Sequence, residues 1–378
     1  MSGLSRPVMR PSLGSDDPAG QAALGSALMD LTAELVDIPS VSHHEAAIAE
    51  RVEGALKACE RLSVVRIGDN VVARTTGGHG RRLGVAGHLD TVPPAGNAAA
   101  RREGDELWGV GASDMKGSLA VMLHVATQPL ALTTDVTWCF YVCEEVGREH
   151  SGLGQLWRSH PELLEGDAAV LCEPTEGLVE AGCQGTMRAH VTLTGRRAHT
   201  ARPFTGRNAI HRLGSVVQRV ASWPVRKVTI QGCEYAEQMQ AVSVEGGVAG
   251  NVVPDRATLT LNYRFAPDRD AGEARRVVED LLGDLLEPES GDRIEVVDLA
   301  EGAPPSLDQP LLQRLVEMSG APPRAKVGWT DVATFWSHGV PAANFGAGDP
   351  LLAHHPDERV DPTTLLRVHG TLTDLVST

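Results

Sequence analysis

Leu83-Gly84-Val85-Ala86-Gly87-His88-Leu89-Asp90 decides the fold: a strand-like apolar run ends in an imidazole and a carboxylate. The same form returns twice. Trp138 to Cys143 precedes Glu144-Glu145, and Ala168 to Cys172 precedes Glu173-Pro174. From Val64 to about Val179 such runs alternate with helical patterns, which is the βαβ signal of a covered, mostly parallel sheet in an α/β domain. Open α/β sheets gather their chemistry at strand carboxyl ends. Each of these runs delivers a ligand-type side chain to such an end.

Working outward, Leu28, Leu31, Leu35 and Ile38 are spaced for a buried helix face, and Pro39-Ser40-Val41-Ser42 breaks it. Ser42 stands three residues before Glu45, which predicts a capping box on the next helix. Residues 119–130 supply a crossover helix after the Asp114 loop. After Glu180 the texture changes. Met187, Ala189, Val191 and Leu193 alternate as a half-exposed strand. A helix over 208–222 follows, then strands at 225–231, 241–247 and 257–265, a helix from Pro267-Asp268 to about 286, and a strand at 294–299. This β-α-β-β-α-β order is that of an antiparallel, ferredoxin-like α+β unit. It is expected to span 184–297 as an insert in a discontinuous first domain of 26–183 and 298–378. Residues 1–25, rich in Ser, Gly, Pro and Asp with no apolar core segment, read as a disordered tail rather than a signal peptide.

Composition narrows the function. Acidic residues outnumber basic ones, 49 to 34, for a formal charge of -15. That surface does not attract nucleic acid or an anionic membrane, although a local basic pocket can still take an anionic substrate. No apolar run approaches the roughly 18–20 residues of a membrane span. The six cysteines, at 59, 139, 143, 172, 183 and 233, form no CxxC pair. They read as small core residues in a reducing cytoplasm. Zinc ligation by Cys143 or Cys172 stays open, although Glu144 and Glu173 beside them are better placed.

His88 and Asp90, two apart on an extended segment, share a face; Asp90 can accept the second ring N–H of a metal-bound imidazole. In Gly109-Val110-Gly111-Ala112-Ser113-Asp114-Met115-Lys116-Gly117 the glycines permit an unusual loop, and Asp114 sits just before a helix. It can bridge two cations or serve as an N-cap. Glu144 and Glu145 can serve one site only where the strand bends, one binding metal and the other acting as general base. Pro174 keeps Glu173 extended. Of His354 and His355, one is expected to be a ligand. His199, in Gly195-Arg196-Arg197-Ala198-His199, reads by itself as a surface-loop histidine. Two imidazoles with three to four carboxylates make a mixed N/O donor set suited to zinc or a similar divalent ion, with enough ligands for two metals sharing one carboxylate.

These motifs resemble the M20 family of di-zinc amidohydrolases: His88-x-Asp90, Asp114-Met115-Lys116-Gly117, Glu144-Glu145, Glu173-Pro174 and His354-x-x-Asp357-Glu358, in family order over residues 26–378. The resemblance implies a parallel-sheet zinc-hydrolase domain with an inserted dimerisation domain, and a homodimer. It implies that His88 and Glu173 hold one zinc, Glu145 and His354 the other (cobalt can substitute), and that Asp114 bridges them through a cis Asp114-Met115 peptide. Asp90 would orient His88, Glu144 would be the general base and later the acid, and His199 would cross the dimer to stabilise the oxyanion. Asn251 and Arg264 would bind a small anionic N-acyl amino acid. Glu180 to Thr186, Gly247 to Asp255 and Asn262 to Asp268 are similar to family members that hydrolyse N-succinyl-L,L-2,6-diaminopimelate. An acetylornithine deacetylase, aminoacylase or dipeptidase is the sibling alternative. Cys183-Gln184 stand where other lineages often carry arginine, so the succinyl carboxylate is expected to be held differently here. A non-catalytic metal- or peptide-binding protein is the rival of another class.

Overall fold

The computed structural model describes residues 17–378. Residues 1–16 of the expected tail lie outside the described residues. From residue 17 the chain is helical rather than tail-like: Asp17 caps α1 (Pro18–Val36), accepting the Gly20 N–H at 3.0 Å, with proline at the first helical position. Leu28 and Leu35 are fully buried. Helix α2 (Ala46–Lys57) follows Glu45 directly, but the capping box does not form. The Ser42 hydroxyl donates to Asp90 Oδ2 at 2.7 Å, and Glu45 accepts from the Cys143 N–H and thiol at 3.1 and 3.3 Å. Both side chains are buried, and satisfying a buried carboxylate outweighs an exposed local cap.

The chain divides into two compact units. The first comprises residues up to Val179 with Pro310–Ala321 and Asn344–Thr378. Its strands β1 (Leu62–Ile67), β2 (Asn70–Thr75), β3 (Arg82–His88), β4 (Asp135–Tyr141) and β5 (Ala168–Leu171) lie in the order β1-β2-β4-β3-β5. The β1-β2 hairpin adds antiparallel to β4, while β3 runs parallel to both β4 and β5. His88 pairs with Tyr141, and Ala86 with Leu171, so three buried strands end level with one another. Helix α3 (Gly117–Thr127) packs with α1 and with the helix Pro362–Ser377.

The second unit takes Glu180–Gln309 and Pro322–Ala343. Strands β6 (Gly185–Thr194), β7 (Gln238–Gly246), β8 (Arg256–Phe265) and β9 (Arg293–Ala300) form an antiparallel sheet in the order β7-β8-β6-β9. Helices α4 (Ala209–Ala221) and α5 (Ala271–Leu282) contribute Val216 and Val278 to one core with Val191, Leu259, Leu261 and Phe265. The other sheet face carries the polar residues of the alternation. A hairpin, Lys227–Ile230 with Cys233–Ala236, stands where one strand was expected. Residues 180–183, 298–309 and 322–343, expected in the first domain, group with this unit, the last through specific bonds. Arg324–Ala325 pairs parallel with Glu180–Ala181, Lys326 binds Glu180 at 3.0 Å, and the Trp329 indole donates to the Glu301 carbonyl at 3.1 Å. Among the described residues no helix is long and apolar enough to cross a membrane.

Candidate metal centre

His88 ends β3, Glu144-Glu145 follow β4 and Glu173 follows β5, so the level strand ends of the first unit bring four candidate residues together. Glycine at position 87 leaves room for the tip of Met115, whose Cε would lie 2.6 Å from a Cβ placed there. Met115 Sδ accepts the His88 N–H at 3.3 Å. The buried His88 ring is fixed by its Nδ1, 2.9 Å from the Asp90 main-chain carbonyl, which leaves Nε2 outward, 3.1 Å from Asp114 Oδ1. The Asp90 carboxylate is farther from Nδ1, at 3.6 Å. Its oxygens instead accept the main-chain N–H groups of Glu144 and Glu145, both at 3.0 Å. Asp90 was expected to orient His88 through its carboxylate; here the carbonyl does so, and the carboxylate shapes the glutamate turn. That turn bends at Cys143, whose φ of 58° takes the chain out of the strand. The bend meets the requirement for two adjacent carboxylates to serve one site.

The Asp114 loop leaves helical geometry at Asp114 and Met115, and the peptide between them is cis. Asp114 is not an N-cap: α3 begins at Gly117, and the Asp114 carboxylate faces His88 and His354. What holds the loop is Glu358. This buried carboxylate accepts the N–H groups of Gly111, Ser113 and Asp114 at 2.9, 3.0 and 2.8 Å. Burial pushes its pKa up to about 7, against the opposing pull of those amides. The loop's other support is Lys116, buried, with its ammonium on the Ile38 carbonyl at 2.8 Å. In the sequence Glu358 stands only as the last residue of His354-x-x-Asp357-Glu358, and its closeness to His354 is the one local sign of this role. Of the adjacent histidines, His354 Nε2 lies 2.9 Å from Glu145, while His355 turns to the exposed Asp357.

The ligand atoms fall into overlapping groups. His88, Asp114 and Glu173 each place one within 4.8 Å of the other two, as do Asp114, Glu145 and His354. Asp114 belongs to both groups. Glu144 joins His88 and Glu145 in a third. The electrostatics are those of a cation site. Hydrogen bonds to Asp114 and Glu145 raise the pKa of His354 to about 10. Burial alone would lower that of His88, yet the Asp114 hydrogen bond and surrounding carboxylates carry it well above its ordinary value. These three carboxylates and two imidazoles fit a pair of divalent ions of the zinc type. Neither cysteine alternative joins a group among the described residues. Burial pushes the Cys143 thiol up to about 12 and the Cys172 thiol higher.

The remaining candidates belong to the second unit. His199 is exposed, its Nδ1 accepting the Ala201 N–H at 3.0 Å, and Asn251 is exposed with its carbonyl taking the Thr200 N–H at 3.1 Å. His199 and Val252 form a β-bridge, so these two loops are one local structure. Arg264 is half-buried on β8.

With this geometry in view, comparison with known proteins places the chain. The model of peptidase family M20/M25/M40 matches residues 84–378. The chain belongs to this family. A Mycobacterium tuberculosis protein provisionally designated succinyl-diaminopimelate desuccinylase DapE is 50% identical over 333 residues, 88% of this chain and 93% of that protein. The succinyl-diaminopimelate desuccinylase of Corynebacterium glutamicum is 45% identical over 355 residues, 92% of this chain and 95% of that protein. Among solved structures, a tripeptidase from Staphylococcus aureus superposes with a TM-score of 0.75 at 21% identity, covering 93% of this chain and 98% of that one. That last likeness concerns the fold alone.

Proposed function

We propose that this M20-family chain hydrolyses N-succinyl-L,L-2,6-diaminopimelate to succinate and L,L-2,6-diaminopimelate. The observation that carries the substrate is the identity shared over nearly the whole chain with two proteins bearing the desuccinylase name. The clustered ligands support the chemistry. His88 and Glu173 would hold one divalent ion, Glu145 and His354 the other, with Asp114 shared; zinc is the ion proposed, and cobalt a working substitute. When bound, such a pair supplies Lewis acidity and a water acidic enough to ionise near neutral pH. Glu144 would take a proton from the attacking water and return it to the amide nitrogen as the C–N bond breaks. His199 donates to the carbonyl oxygen as negative charge gathers there. Arg264 and Asn251 hold the substrate, the guanidinium suiting a carboxylate.

The working unit proposed is a homodimer joined through the inserted domain of 184–297, with His199 acting across it. In support, the edge strand β7 exposes Val242 and Val244, and Val248 follows just beyond it. An exposed apolar edge of this kind is one that pairing with a second copy covers. The cytoplasm is the proposed location, in keeping with six free cysteines.

The deciding experiment is succinate release from N-succinyl-L,L-diaminopimelate by zinc-reconstituted protein, with N-acetylornithine in parallel. We expect turnover of the succinyl substrate alone, lost on chelation and restored by about two metal equivalents per chain. Turnover of N-acetylornithine, or of neither compound, rejects the substrate.

A further inference from the structure

Most arginines of the second unit that approach its core are matched to carboxylates. Arg212 binds Asp292 and Arg226 binds Asp268, each through both terminal nitrogens or both carboxylate oxygens. Arg219 binds Asp284 in the same manner, and Arg269 binds the fully buried Glu237. Arg188 and Arg264 differ. Among the described residues neither hydrogen-bonds to a carboxylate, yet they are neighbours on one sheet face.

The register places them. Arg188 on β6 stands opposite Asn262 on β8, and Arg264 stands opposite Thr186. The two arginines are therefore diagonal neighbours, with Cα atoms roughly 7–8 Å apart by sheet geometry. Both point away from the core, since Met187, Tyr263 and Phe265 between and beside them are its buried members. Burial lowers the pKa of the half-buried Arg264, and repulsion from Arg188 lowers it further. Asp298, opposite Arg188 on β9, works the other way. Two guanidinium groups against one carboxylate leave one positive charge. Polar side chains that can complete a carboxylate's hydrogen bonds border it: Thr186, Asn262 and, opposite Arg264, Gln238. Cys183 and Gln184, just ahead of β6, add nothing to this charge. They are buried, with their side chains directed to the Thr330 and Ala236 carbonyls.

We propose that Arg188, together with Arg264, forms a carboxylate-binding site for the substrate, with Arg188 the residue that sets acyl preference. The inference rests on the deacylase reading above. Two guanidinium groups on neighbouring strands of one face offer the forked donors that a carboxylate accepts, and with Asp298 beside them one arginine alone would leave that face without net positive charge.

The test uses full-length, metal-loaded protein and three substitutions, Arg188→Gln, Arg188→Lys and Asp298→Asn. With the succinyl substrate we expect Arg188→Gln to raise KM about 10- to 100-fold, the scale of one charge-assisted hydrogen bond, with kcat changed little. Arg188→Lys, which keeps the charge and loses the fork, should fall between. Asp298→Asn should lower KM by a few-fold, a gain that a purely structural role for this face does not give. N-acetyl-L,L-diaminopimelate separates the two carboxylate sources. An unchanged KM for it assigns the site to the acyl carboxylate, whereas a parallel rise assigns it to the amino-acid carboxylate and overturns the role of Arg188 in acyl preference. Unchanged KM for both compounds overturns the proposal. If the wild type cleaves no N-acyl amino acid, the deacylase reading fails separately. Calorimetric titration with succinate and with L,L-diaminopimelate then still decides the site: weakened binding of either by Arg188→Gln supports it, and unaltered binding of both overturns it.

Discussion

The two units treat buried charge in opposite ways. In the second, buried acids are neutralised by arginine: Glu237 by Arg226 and Arg269, Asp292 by Arg212. In the first, acids are gathered with imidazoles and main-chain amides. Asp90 takes two amides and a hydroxyl, Glu358 takes three amides, and Asp114 faces two histidines. Amides orient a carboxylate without cancelling its charge. The first unit therefore keeps an excess of negative charge at its strand ends, while the sheet of the second keeps an excess of positive charge at Arg188 and Arg264. Each excess is matched by a proposed ligand of opposite charge: cations for the first unit, a substrate carboxylate for the second.

The comparison breaks most readily at Glu144, which stands beside the clustered ligands with a different proposed task. Glu144→Gln should retain about two metals per chain by elemental analysis while kcat falls roughly 10²- to 10⁴-fold, the range of general acid–base catalysis. Loss of metal together with activity would make Glu144 a ligand and erase the division of labour. The next test asks whether the second unit takes part in the chemistry at all. His199→Ala should lower kcat roughly 10²- to 10³-fold, the effect of one lost oxyanion donor, with metal content intact. Mixed with Glu144→Gln protein under subunit exchange, it should recover part of the activity. No recovery argues against action across a dimer.

A smaller effect tests the amide-held carboxylates. Glu358→Ala leaves three N–H groups without their acceptor and frees the loop that carries Asp114. Supports of this kind are worth about 10- to 100-fold in metal affinity. Competition with a chelating dye should show that loss, whereas Asp357→Ala, an exposed neighbour, should leave affinity unchanged. Equal affinities for wild type and Glu358→Ala would reduce Glu358 to a packing residue.

How legible all this was depends on sequence distance. His88, Glu144-Glu145 and Glu173 could be read because each closes an apolar strand, and level parallel strands bring their ends together. The four-stranded sheet could be read from its alternation. The supports could not. Ser42 meets Asp90 across 48 residues, Glu45 meets Cys143 across 98 and Ser113 meets Glu358 across 245. A local pattern carries no information on such pairs. Where it offered a local answer, the Ser42–Glu45 capping box, tertiary partners displaced it. Residues 322–343 were misplaced for the same reason: two residues of parallel pairing and three side-chain bonds are invisible to periodicity.

The finest test lies within the first unit, where histidines meet opposite fates. His354 lies among carboxylates that raise its pKa, whereas His124 and His369 face each other, Nδ1 to Nε2, at 2.9 Å. Burial lowers both pKa values, with repulsion from His124 adding to the effect at His369, which falls from 6.5 to about 4. The folded state thus favours neutral rings. Their contribution to stability is complete above about pH 6.5, the unfolded value, and drains as pH falls towards 4. His369→Gln keeps a polar partner for His124 and removes one titration. Relative to wild type it should recover on the order of 2 kcal/mol of stability between pH 7 and 4.5, read from denaturant midpoints at each pH. Hydrogen exchange should place the wild type's acid loss in 117–127 and 362–377, the two helices that carry the pair, and leave the second unit's sheet protected. Equal acid sensitivity in both proteins would assign the loss to the metal ligands instead, where protonated imidazoles and bound cations compete for the same carboxylates.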